Sequence, residues 1–98
     1  MKHLQDTIKE SIPSLVVFQH AGHNDAVEVK YLMQSLKDEF GDKANIFSVD
    51  SSFNGNVKTH FKLREYPTWI LFKEGDELMR ESGRKKLSQL EDMLKTAL

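Results

Sequence analysis

A chain of 98 residues makes one domain, residues 1–98, which buries roughly 60–65% of the surface it exposes when unfolded and leaves no room for a second. Its 14 basic and 15 acidic residues give a formal net charge of -1, so no global field draws it to nucleic acid or to an anionic membrane. Cysteine is absent, which excludes disulfide staples, thiolate metal sites, iron–sulfur clusters and thiol nucleophiles, and the 39% apolar and 30% charged residues are those of an ordinary soluble domain.

Met1 to Asp6 is charged and polar, without the apolar run of a signal peptide, so a cytoplasmic location is expected. The longest apolar runs, Leu15 to Phe18 and Trp69 to Phe72, fall far short of the roughly 20 residues that span a bilayer, and no membrane contact is expected. Leu4, Ile8 and Ile12 recur every four residues and predict a short amphipathic helix ending near Pro13, which disfavours helix at the residue before it. Leu15-Val16-Val17-Phe18 then reads as a strand buried on both faces, the central one of a sheet. After a loop over His20 to Asn24, Asp25 and Glu28 read as a helix start. Ala26, Val29, Leu32, Met33, Leu36 and Phe40 give that helix about four turns of apolar face, with Gly41 as its stop.

Ile46, Phe47 and Val49 predict a second strand ending at Asp50, and strand, helix, strand over so short a distance implies a right-handed parallel crossover. Asn54-Gly55 marks a turn, and Val57 and Phe61 suggest a short helix. Tyr66-Pro67 precedes a third strand, Thr68 to Lys73, and Glu74-Gly75-Asp76 turns it into an antiparallel fourth, Glu77 to Ser82. Past Gly83, the positions Leu87, Leu90, Leu94 and Leu98 trace the apolar face of a closing helix. The expected class is α/β, a four-stranded mixed sheet flanked by helices on both faces.

This order resembles the thioredoxin family, and particular residues carry the resemblance. Tyr66-Pro67-Thr68-Trp69-Ile70-Leu71-Phe72-Lys73-Glu74-Gly75 is similar to the family's Pro-Thr segment, strand and Gly-containing hairpin. Leu15 to Phe18 resembles the strand entering its active site, and Ser82-Gly83 the glycine ending its last strand. The similarity runs from Ser14 onward; the family's N-terminal strand is missing and the loop from Asp50 to Phe61 is about two residues longer. The resemblance implies a thioredoxin-like fold and a cis bond at Tyr66-Pro67, whose intrinsic penalty is only about 0.5–1 kcal/mol.

The resemblance also locates what is absent. The family's Cys-x-x-Cys falls on His23-Asn24-Asp25-Ala26, so His23 and Ala26 stand where the sulfurs would be. Its buried acid corresponds to Val17, and its two tryptophans to Gln19 and Gly22. Dithiol exchange needs one thiolate to attack and a second thiol to resolve, and neither imidazole nor methyl replaces them. What the family keeps beyond its cysteines is a groove in which partner chains lie extended beside the proline, which implies Gly22, His23, Tyr66, Pro67, Gly83 and Arg84 here. The expected function is a redox-inactive protein- or peptide-binding module using that groove, without cofactor or catalytic residue.

Alternatives remain at several positions. His20 and His23 form a His-x-x-His, open to readings as loop residues, as partner contacts, or as ligands or acid/base groups of a metal-binding protein or non-redox enzyme; two ligands alone do not make a metal site. Tyr66 offers a partner a broad ring with a polar handle, or simply packs over its loop. Glutathione held beside the proline is a third reading, for which the sequence offers no dedicated set of contacts. Arg84-Lys85-Lys86 sits unfavourably against the closing helix's dipole, with only partial relief expected from Glu91 and Asp92, and reads as a solvated corner or a contact for an anionic partner. Without an extra N-terminal strand, Asn45 to Asp50 becomes a sheet edge lacking Lys and Pro, open to a homodimer or covered by the first helix.

Overall fold

A computed structural model describes residues 4–20, 26–53 and 55–98. The elements are helix α1 (Leu4–Ile8), strand β1 (Ser14–Gln19), helix α2 (Ala26–Phe40), strand β2 (Asn45–Asp50), helix α3 (Gly55–His60), strands β3 (Thr68–Lys73) and β4 (Asp76–Ser82), and helix α4 (Leu87–Lys95). Short 3-10 turns at Gly41–Lys43 and Ser51–Phe53 close α2 and β2.

The four strands form one sheet in the order β2-β1-β3-β4, with β1 and β2 parallel and the other neighbours antiparallel. The two interior strands are the two continuous apolar runs, because a strand covered on both faces has no polar side to keep. Alternate residues divide the core. Leu15, Val17, Trp69 and Leu71 pack beneath α2 and α4 with Val29, Leu32, Leu36, Leu90 and Leu94. Val16, Phe18, Ile70 and Phe72 pack on the opposite face with Ile8, Phe61 and Leu63. There the Phe61 ring stands 4.9 Å from that of Phe18 and 5.8 Å from that of Phe72, separations at which tilted aromatic pairs attract.

Two expectations are corrected at element ends. The first helix stops at Ile8 rather than near Pro13: the Ile8 and Glu10 carbonyls accept from the Gly75 and Glu74 amides, at 2.8 and 3.0 Å. The β3–β4 turn thus takes the bonds that a longer α1 would need. The closing helix ends at Lys95, leaving Leu98 outside it and exposed, while Met93 joins Leu90 and Leu94 on its buried side. On β4, Leu71 faces Met79 but Phe72 faces Glu77, so Leu78 is an extra residue and stands out of the sheet. The expected helix start at Asp25 and the turn residue Asn54 lie outside the described residues. Among the described residues no helix is long and apolar enough to cross a membrane.

Candidate functional site

The register of the sheet gathers most of the residues singled out by sequence at one end of it. Phe18 pairs with Thr68, and Thr68 with Ser82, so these three form a row across β1, β3 and β4. The next positions outward are Gln19, the last residue of β1, and His20 after it, Tyr66 and Pro67 before β3, and Gly83 and Arg84 after β4. The Tyr66-Pro67 peptide bond is cis. The Pro67 carbonyl accepts from the Gly83 amide at 2.8 Å, tying the two segments directly. Gly83 holds φ at +88°, a left-handed value that a Cβ disfavours, as β4 turns away from the sheet. Thr68 is buried and anchors the corner: its hydroxyl donates to the Glu65 carbonyl at 2.6 Å and lies 3.3 Å from the Ser82 hydroxyl.

Pro67 is itself buried, so it shapes this surface without offering its ring to a partner. Tyr66 is half-buried and packs against the Phe18, Phe61 and Phe72 cluster, with its hydroxyl oxygen inside and its ring 5.3 Å from that of the exposed His20. The packing reading of Tyr66 therefore holds, since it closes the corner with its hydroxyl inside, while part of its ring remains at the surface.

Arg84 reaches from the end of β4 to the first turn of α2, where Nε and Nη2 donate to Glu28 Oε2 at 2.9 and 2.6 Å. Its side chain stays 74% exposed, so the pair holds the guanidinium in place without removing it from solvent. Lys85 pairs with Glu81 at 3.4 Å. Relief for this basic corner thus comes from Glu28 and Glu81 rather than from Glu91 and Asp92, because the turn after Gly83 directs the cations back over the sheet. The α4 start is completed when the Lys86 amide donates to Gln89 Oε1 at 2.8 Å.

Ala26 opens α2 and is exposed. Gly22 and His23 lie outside the described residues, so the spacing of His20 and His23 is not part of this geometry. Among the described residues no three His, Asp or Glu side chains converge on a point that would hold a metal ion. The His20–Tyr66 contact and the Arg84–Glu28 pair were not legible in the sequence; the members of the ion pair are 56 positions apart and no local pattern links them.

A family model described as Thioredoxin matches residues 5–96. The chain belongs to the thioredoxin family. Among relatives of this thioredoxin-family chain, "Thioredoxin X, chloroplastic" of Arabidopsis thaliana is 34% identical over 73 residues, 74% of this chain and 40% of the relative. "Thioredoxin Y, chloroplastic" of Oryza sativa subsp. japonica is 24% identical over 90 residues, 92% of this chain and 54% of the relative. "Thioredoxin" of Acidithiobacillus ferridurans is 26% identical over 93 residues, with 95% of this chain and 86% of the relative covered. The chain therefore spans about half the length of the two chloroplastic relatives. Among solved structures, the Malassezia sympodialis thioredoxin Mala s 13 superposes with a TM-score of 0.83 at 17% identity, over 95% of this chain and 81% of that one. A designed protein does so at 0.84 and 22%, over 95% and 82%. Similarity at those identities is similarity of fold. This member of the family carries no cysteine anywhere in its 98 residues.

Proposed function

We propose that this chain is a thioredoxin-fold binding module without redox activity, taking an extended protein segment or peptide across the end of the sheet at Tyr66, Pro67, Gly83 and Arg84, a groove to which the family resemblance also assigns Gly22 and His23. One observation carries the reading: among the described residues the end of the sheet is tied together, through the Gly83–Pro67 bond and the Arg84–Glu28 tether, in a chain with no thiol to use there. Without a thiolate there is no nucleophile to attack a disulfide and no resolving group to complete the exchange. What this surface retains is recognition. Tyr66 contributes ring area at low entropic cost, His20 lies against it, and the held but solvated guanidinium of Arg84 is placed to meet a carbonyl or carboxylate of the bound segment.

Affinity capture from native extract, read by mass spectrometry and run in parallel with variants, tests this. Tyr66→Phe is expected to keep the partner, because the hydroxyl is buried away from the surface, whereas Tyr66→Ala and Arg84→Glu are expected to lose it. Capture unchanged in both Tyr66→Ala and Arg84→Glu, each checked for a cooperative melt, contradicts the proposal.

A further inference from the structure

The sheet has two edges, and they differ in how they are protected. β4 carries the extra residue at Leu78 together with Glu77, Arg80 and Glu81; Arg80 donates to both Glu77 oxygens at 3.0 and 2.8 Å. Bulges and charges of this kind discourage another strand from adding. β2, Asn45-Ile46-Phe47-Ser48-Val49-Asp50, is regular and carries a single charge, at its last residue, where the Asp50 carboxylate is turned to the Ser52 amide and hydroxyl, and among the described residues no strand pairs with its outer side.

Above that edge lies one flank of α2. At 3.6 residues per turn, Val29, Leu32, Leu36 and Phe40 face the core and the two flanks carry opposite charge. The flank toward β4 and α4 holds Glu28, paired with Arg84, and Glu39, which lies beside Glu91 and helps raise its carboxyl above the ordinary value. The flank toward β2 holds Lys30, Gln34 and Lys37, which with Gln19, Met33 and Ser48 line a cleft of about 400 Å³ between helix and strand. No carboxylate lines this cleft, and among the described residues neither lysine has an ion-pair partner, whereas Arg80, Arg84 and Lys85 each have one.

We infer that the β2 edge and the basic flank of α2 form a second docking surface, which meets the end of the sheet at Gln19 and Ala26, for an extended partner segment that alternates acidic and apolar residues. A strand added to β2 continues the sheet and sends successive side chains to opposite faces. On the α2 face its side chains meet Lys30 and Lys37, whose backbones lie about 10.5 Å apart along the helix, a span bracketed by strand residues two and four apart at about 7 and 13 Å. Carboxylates at alternate positions satisfy both cations. On the opposite face the added side chains meet Phe47 and Val49, which are half-buried beside the Phe18 cluster and gain cover only from apolar neighbours. A second copy of this chain does not fit that description. A two-fold axis through paired β2 edges keeps both α2 helices on one face and sets each lysine pair against its own copy, a like-charge arrangement that disfavours association.

Fluorescence anisotropy with a short labelled peptide alternating glutamate and valine tests the assignment. Saturable binding is expected, weakened about tenfold or more by Lys30→Glu with Lys37→Glu, residues exposed enough for the melt to stay unchanged. A peptide with lysine for glutamate, and one methylated at the edge-facing backbone nitrogens, are expected not to bind. Tyr66→Ala is expected to leave the affinity unchanged, which separates this surface from the one proposed above. Absence of binding, equal affinity for the lysine peptide, persistence after methylation, loss with Tyr66→Ala, or a β2-mediated dimer that the peptide does not displace would each overturn it.

Discussion

Glu74 holds φ at +54° and Gly75 at +88°, two successive left-handed residues at the tip of the β3–β4 hairpin. That geometry matches the twist of the paired strands, and Asn-Gly meets it with less strain than Glu-Gly. Glu74→Asn is therefore expected to raise stability by about 0.5–1 kcal/mol, since the amide that bonds the Glu10 carbonyl is backbone and survives the change. Denaturation followed by fluorescence of the single tryptophan measures it; a lower midpoint would contradict the turn assignment. A second residue sets a pH dependence. Hydrogen bonding to Glu39 raises the Glu91 carboxyl above its ordinary value, with the nearby Glu39 charge acting in the same direction and Lys95 opposing it. A carboxyl raised in the folded state stabilises the fold most below the ordinary carboxylate range, and that contribution is lost as pH rises through the raised value. Glu91→Gln should accordingly raise Tm at neutral pH relative to the parent, with the difference shrinking on acidification; a gain confined to acid pH would contradict the sign.

At the scale of elements, what was legible in the sequence followed from burial. β1 and β3 are covered on both faces, so their apolar runs are unbroken, and the boundaries of β3 follow directly from Pro67 and the turn at Glu74-Gly75. α2 was legible because only one stripe of it is covered. Leu36 lies at the centre of that stripe, fully buried, while Tyr31 is 66% exposed. Leu36→Ala is expected to cost about 2–5 kcal/mol through lost burial and a cavity, while Tyr31→Ser stays within about 0.5 kcal/mol. Similar losses from both, measured by denaturant titration, would mean that α2 packs differently. The ends of α1 and α4 were not legible, because their periodicity continues past the point where tertiary contacts take over. Ile8 and Glu10 give their carbonyls to the distant β3–β4 turn, and the last turn of α4 closes on itself through the Thr96 hydroxyl and the Met93 carbonyl at 2.6 Å.

For the whole molecule, the sequence identified the components of the candidate site but not the ties between them. Tyr66-Pro67-Thr68 and Ser82-Gly83 stand out by residue type and spacing, and the register of β1, β3 and β4 brings them into one row. The Arg84–Glu28 tether and the pairing of His20 with Tyr66 depend on chain crossings that no local pattern encodes. Nor did the lysines of α2 stand out, since Lys30 and Lys37 in a 30% charged chain look like solvated surface until β2 is seen to end the sheet beneath them. The thioredoxin fold is present here without the thiols, and we propose that the end of its sheet remains a recognition surface. The most direct test is amide NMR of the isotope-labelled chain titrated with the segment of its captured partner. The perturbed amides are expected to cluster at Tyr66, Thr68, Gly83 and Arg84; a bound segment that leaves all four unmoved would place recognition elsewhere.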